Sequence, residues 1–166
     1  MARGFETARR TGTTVPRVQS TKWKTAQTFT SRALVYLDVN SELNECAANP
    51  TQVFGVALEG VGGRPGYDLP NSTYFTNVVT GAVQEVSVAI ADSEQEFSAR
   101  MVNGATDPVT PLQTDIGAQY GVAKSGSEWY VNQADTVNVV VVVTDIRTDD
   151  NVVLVKFLKA VQQANP

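Results

Sequence analysis

Histidine is missing altogether from these 166 residues, and cysteine occurs once, as Cys46. Without histidine there is no Ser/His/Asp or Cys/His nucleophile arrangement and no Cys/His ligand set for structural zinc or haem. A lone cysteine forms no intramolecular disulfide. With Glu45 beside it and no cation adjacent to lower its pKa, Cys46 reads as a small half-buried residue. No apolar run approaches the ~18–20 residues of a membrane span, and the opening MARGFETARR carries no apolar stretch of the secretory kind. A soluble protein made in a cytosol is therefore expected, with Asn71-Ser72-Thr73 an ordinary polar turn rather than a glycosylation acceptor.

Acidic residues are also scarce at one end. The first 32 positions hold Arg3, Arg9, Arg10, Arg17, Lys22, Lys24 and Arg32 against Glu6 alone. Of 13 basic and 17 acidic residues in the chain, 6 and 16 remain for positions 33–166, a net of -10. A cationic segment thus precedes an anionic one. Residues 1–32 are rich in threonine and poor in apolar side chains, with Trp23 as one large anchor and Phe29 marking the approach to the folded body. Such a stretch offsets little of its own ordering entropy, so an extended or disordered arm is expected over 1–32, and deletion of residues 2–28 should leave a folded body. Residues 33–166 have the length of one domain and bury enough surface for a self-sustaining core.

From Ala33 onward, short β-branched runs alternate with turn residues, which predicts an all-β sandwich or barrel. Strands are expected at 33–37, 43–47 and 53–58, followed by a loop forced by the glycines and proline of 60–66. A weak strand comes next, around Tyr74, Phe75, Val78 and Val79. Over 83–91, Val86, Val88 and Ile90 share one face, and Phe97, Ala99 and Met101 are expected to pair beside them across a turn at Asp92-Ser93. After the prolines at 108 and 111, strands at 120–123 and 129–131 flank the Ser125-Gly126 turn. A last hairpin joins 137–144 to 152–158, and a short helical tail is expected over 159–163.

The unbroken run Val139 to Val143 does not alternate, so both faces of its strand should be covered. A neighbouring sheet would do this, and so would a second subunit; Val139, Val141 and Val143 are the candidate oligomer-interface residues. Flanking Asp135 and Asp145 have the character of aggregation gatekeepers.

Other constellations favour bland readings. Asp92, Glu94 and Glu96 would share a face of an extended segment, as a glycosidase pair requires, but charged strand edges are the commoner cause. The oxygen-rich stretch 145–151 lacks calcium-loop spacing and contains Arg147. Gly60 to Gly66 has no amphipathic helix after it to complete a phosphate cradle. The basic arm with Trp23 could neutralise phosphates and stack on a base, yet the acidic body would repel nucleic acid, so an acidic protein surface is the preferred partner. No catalytic residue, metal or cofactor is assigned.

Phe29-Thr30-Ser31-Arg32-Ala33-Leu34-Val35-Tyr36-Leu37-Asp38, then Leu43 to Ala47 and Phe54-Gly55-Val56-Ala57, form a cadence that resembles the small decoration, or cement, proteins of tailed-phage capsids. Ser93 to Arg100, and Gln119 to Val122 with Gly126 and Trp129 to Val131, are similar to the second half of such proteins. The likeness spans roughly 29–160 and is one of rhythm. It implies a β-barrel or β-tulip-like body, a homotrimer on the outer capsid surface of the virion, and terminal arms that grip neighbouring major capsid proteins. On that expectation Arg9, Arg10, Arg17, Lys22 and Lys24 meet acidic capsid residues while Trp23 fills a pocket. The alternatives are another virion part, such as a head-tail connector or tail protein, and a carbohydrate-binding module with Tyr120, Trp129 and Tyr130 as a stacking platform.

Overall fold

A computed structural model describes residues 4–10, 16–24, 26–61, 85–104 and 106–163. The strand expected around Tyr74 to Val79, the Asn71-Ser72-Thr73 turn and most of the glycine-proline loop lie outside these. The described residues are all-β. They contain β1 (Glu6–Arg10), β2 (Val18–Lys22), β3 (Leu34–Leu37), β4 (Leu43–Glu45), β5 (Gly55–Ala57), β6 (Glu85–Ile90), β7 (Gln95–Asn103), β8 (Asp107–Pro108), β9 (Gln119–Ser125), β10 (Glu128–Asn132), β11 (Val141–Arg147) and β12 (Val152–Phe157), with two 3-10 turns and no α-helix.

The strands form two sheets. In the first, β7, β10, β9, β11 and β12 succeed one another and β12 pairs back onto β7, which closes a five-stranded ring; β1 and β8 attach to β7 outside it. All neighbours in the ring are antiparallel except β7 and β10, which run parallel. The second sheet has the order β2-β6-β5-β3-β4. Its two edges also meet, through a single parallel bridge between Trp23 and Leu43 and a bond from Lys24 N–H to the Leu43 carbonyl at 3.0 Å. One apolar cluster runs through both sheets, from Leu34, Val56 and Val88 to Phe97, Trp129 and Val155.

The described residues of the expected arm are therefore a structural part of the body. Phe5 is 0% exposed and its ring centroid lies 5.5 Å from that of Phe157; Phe29 is buried as well. β1 pairs with residues 95–98 and β2 pairs along its whole length with β6. Burial of the Phe5 ring and two rows of ladder hydrogen bonds offset the ordering entropy that a solvated arm would keep. Threonine, abundant in this segment, is a good β-former as well as a linker residue.

Three further expectations are corrected. Within the described residues, the expected pairing of 83–91 with 97–101 is not formed: β6 belongs to the second sheet and β7 to the first. The Asp92 carboxylate accepts bonds from the N–H groups of Glu94 and Gln95 at 3.0 and 2.9 Å, turning the chain through a corner. Val86, Val88, Phe97, Ala99 and Met101 then enter one core from two sheets. The last hairpin begins later than expected, at Val141 rather than residue 137, because the Asp135 carboxylate holds Val137 and Asn138 in a polar turn. The tail is not helical. Val53 and Gln162 form a parallel bridge, and the Gln163 side chain both donates to and accepts from the backbone of Leu37 at 2.7 Å, so strand-edge bonds replace a helix too short to nucleate.

Other elements match their sequence readings. The 33–37, 43–47 and 53–58 runs contain β3, β4 and β5, and the Ser125-Gly126 turn joins β9 to β10, with Gly126 in the left-handed region at φ 60°.

Candidate functional site

The most basic stretch of the chain is placed on the outside of the second sheet. Antiparallel pairing with β6 aims alternate β2 side chains outward, so Val18, Ser20 and Lys22 are exposed while Gln19 and Thr21 are half-covered. Val18 is 48% exposed. Arg17, also exposed, is fixed by its carbonyl, which accepts from Ile90 N–H at 2.9 Å. A short exposed face of Val18, Ser20 and Lys22 results, with Arg17 exposed where the chain enters the strand.

The remaining expected contact residues go elsewhere. Lys22 Nζ lies 2.5 Å from Glu42 and Lys24 Nζ 3.3 Å from Asp38, so both lysines pair with acids of their own chain on either side of the Trp23–Leu43 bridge. Asn40 and Glu42 N–H groups and Lys24 hold the Asp38 carboxyl below the usual carboxylate range, against the opposing effect of burial. Trp23 is half-buried and packs on the core. Arg9 and Arg10 lie in β1, where the ladder sets them opposite Glu96 and Gln95; their side chains lie outside the described residues. A third paired cation, Arg32, reaches Glu6 at 2.6 Å. This pair rims an open groove of about 410 Å³ lined by Phe5, Thr7, Ser31, Ala57 and Leu58.

Two of the seven N-terminal cations, Lys22 and Lys24, are thus met by acids of the body, and Arg32 by Glu6 of its own segment. Exposed pairs of this kind contribute ~0.2–1 kcal/mol each and weaken with salt. Their alignment along one seam matters more than their sum, since they fix β2 against β4 where only one backbone bridge joins them.

Of the three candidate interface valines, Val141 and Val143 are buried in the chain's own core, and Val139 alone keeps accessible surface. A neighbouring part of the same molecule covers the strand. The aromatic platform is likewise occupied internally: Trp129 is 0% exposed and Tyr120 and Tyr130 are each 8% exposed. Lys124 sits over the Trp129 ring at 5.2 Å and bonds Glu45 at 2.8 Å, tying β9 to β4. Tyr120 donates its hydroxyl proton to Asp115 at 2.6 Å.

Glu96, read as a solvated edge acid, is buried in β7. Asp135, read as a gatekeeper, is a junction between sheets: it accepts from the Asn49 amide at 2.5 Å, while Asn49 accepts from Val122 N–H at 2.8 Å. Cys46 is fully rather than half buried, and burial, then the charge of Glu45, pushes its thiol far up. The signal for the β2 seam in the sequence is a pair of lysines at 22 and 24 and a pair of acids at 38 and 42 beside strand-forming stretches. The sequence matches no protein-family profile and no curated protein.

Proposed function

We propose that this chain is a structural decoration, or cement, protein of a tailed-phage capsid, seated as a homotrimer on the outer surface of the head and bridging major capsid proteins. The observation that carries it is the outward β2 face of Val18, Ser20 and Lys22, with exposed Arg17 at its start, held on a closed β body. A preformed strip docks on an acidic protein surface without ordering a free arm, so its binding loses less entropy than a tether would. The β body and the cadence of strand and turn residues that resembles cement proteins support the same assignment. The charges of Lys22 and Lys24 are already partnered by Glu42 and Asp38, so Arg17 and Val18 make the contact.

A different virion position, at the head-tail connector or in the tail, is the second reading. The carbohydrate-binding alternative has lost its platform to the core. Purified protein added to heads that lack it should decorate the whole shell, as seen by cryo-electron microscopy, and Arg17→Glu with Val18→Glu should cut occupancy at least tenfold. Density at a single vertex would move the assignment to the connector, and full occupancy by the double variant would refute the β2 contact.

A further inference from the structure

Among the described residues, β1 is hydrogen-bonded to β7 alone, and β2 to β6 along its length with one bridge to Leu43 at its end. Both strands are added at the margins of their sheets. Withdrawing them leaves the ring of β7, β10, β9, β11 and β12 closed and the β6-β5-β3-β4 ladder continuous. The contacts that hold them are local pairs: Phe5 on Phe157, Glu6 with Arg32, Lys22 with Glu42 and Lys24 with Asp38. None of these needs its two members to be joined by the intervening chain.

What joins them is a tight turn. Gln27 N–H bonds the Lys24 carbonyl at 3.3 Å, and between them Ala26, exposed, sits at φ +67°, a left-handed conformation that a residue with a Cβ disfavours. Directly after the turn the chain is fixed again. The Gln27 side chain accepts from Glu45 N–H at 3.0 Å, Phe29 is buried, and Arg32 N–H bonds the Ala57 carbonyl at 2.6 Å. The molecule therefore has two strands at the margins of its sheets, surfaces that accept them, and a left-handed residue, Ala26, between them and the rest of the chain.

We infer that residues 4–24 exchange between copies of this chain, the N-terminal strands of one copy occupying the β7 and β6 margins of another while the turn at Ala26 opens into extended backbone. Exchange re-forms every one of these contacts between molecules and releases the left-handed strain at Ala26, so concentration decides between the closed and exchanged forms. The occupant of each margin is a second copy, because the acceptor surface is already complementary to this segment in shape, register and charge. Strand exchange of this kind does not depend on the capsid assignment.

The test uses the full chain, unfolded in denaturant and refolded at low micromolar and at several hundred micromolar concentration, with oligomers read by native mass spectrometry. Expected is an oligomer fraction that grows with refolding concentration and persists for hours after dilution, because its release requires unfolding. Tagged and untagged chains should form hybrids when refolded together and none when mixed folded. Ala26→Gly accepts the turn without strain and should lower the exchanged fraction several-fold. Ala26→Pro fixes φ near −65° and should raise it. Refolded wild type and Ala26→Gly that are monomeric at every concentration would overturn the inference, as would oligomers that dissociate within minutes of dilution or that form equally in wild type and Ala26→Gly. If Ala26→Pro does not fold, wild type and Ala26→Gly decide alone.

Discussion

Phe5 separates a free arm from an integral strand more sharply than any other residue. Its side chain is 0% exposed, its ring lies 5.5 Å from Phe157, and Phe157 meets Phe97 edge-on at 5.4 Å, so three rings share one region of the core. Truncation to alanine removes the buried ring and leaves a cavity among residues held by β7 and β12, for which ~3–5 kcal/mol is the usual loss. That is a large share of the ~5–15 kcal/mol by which a domain is stable. With a urea dependence of about 2 kcal/mol per molar, the midpoint of unfolding should fall by about 2 M. Val39→Ala is the control: at 99% exposure it should change stability by less than ~0.5 kcal/mol. Urea titration followed by tryptophan fluorescence reads both, since Trp129 is wholly buried and Trp23 half-buried. Unfolding of Phe5→Ala at the wild-type midpoint would refute the integral strand, because a residue in a solvated tether contributes nothing to that equilibrium.

Gly121→Ala should destabilise the junction between sheets by ~1–3 kcal/mol, since a Cβ there would lie 2.7 Å from Asn49 Oδ1 and 2.8 Å from Asp135 Cγ; thermal unfolding measures it. The Tyr120 hydroxyl, desolvated and bonded to Asp115, is pushed up to about 12. Because the unfolded chain gives up that proton first, near pH 10, the stabilisation is complete below pH 10 and is lost as pH rises through the folded value. Tyr120→Phe should flatten this alkaline decline in urea midpoint while costing ~1–3 kcal/mol at neutral pH, where Asp115 loses a donor in a buried setting. Asp115 itself is held below the usual carboxylate range because bonds from Tyr120, Leu112 N–H and Gln133 outweigh its burial, so its contribution is present at neutral pH and lost as pH falls through its folded value. The Cys46 thiol should react with a chromogenic disulfide reagent only as fast as the protein opens, and labelling at the rate of a free thiol in native buffer would contradict its burial.

The all-β character was legible because turn residues punctuate β-branched runs at short intervals, and the β9–β10 hairpin was legible because its turn chemistry is local. Sheet membership was not. Val86, Val88, Phe97 and Met101 carry the same alternation whether their strands lie side by side or face each other across a core; the corner set by the Asp92 carboxylate decides it. The valine run announced a strand covered on both sides, but periodicity does not distinguish the chain's own core from a second subunit, and Val141 and Val143 prove to face the former. The N-terminal segment was misread for a related reason. A net charge summed over the body hides that Lys22 and Lys24 answer to two particular acids, Glu42 and Asp38, brought near by strand pairing that sequence separation conceals.

The basic N-terminal segment is a stave of the body rather than a tether, and native-state amide hydrogen exchange resolved to the peptide spanning 16–24 is the sharpest test of that difference. Protection in that peptide should approach that of its partner β6. Exchange there at the rate of an unstructured chain, with β6 still protected, would contradict it.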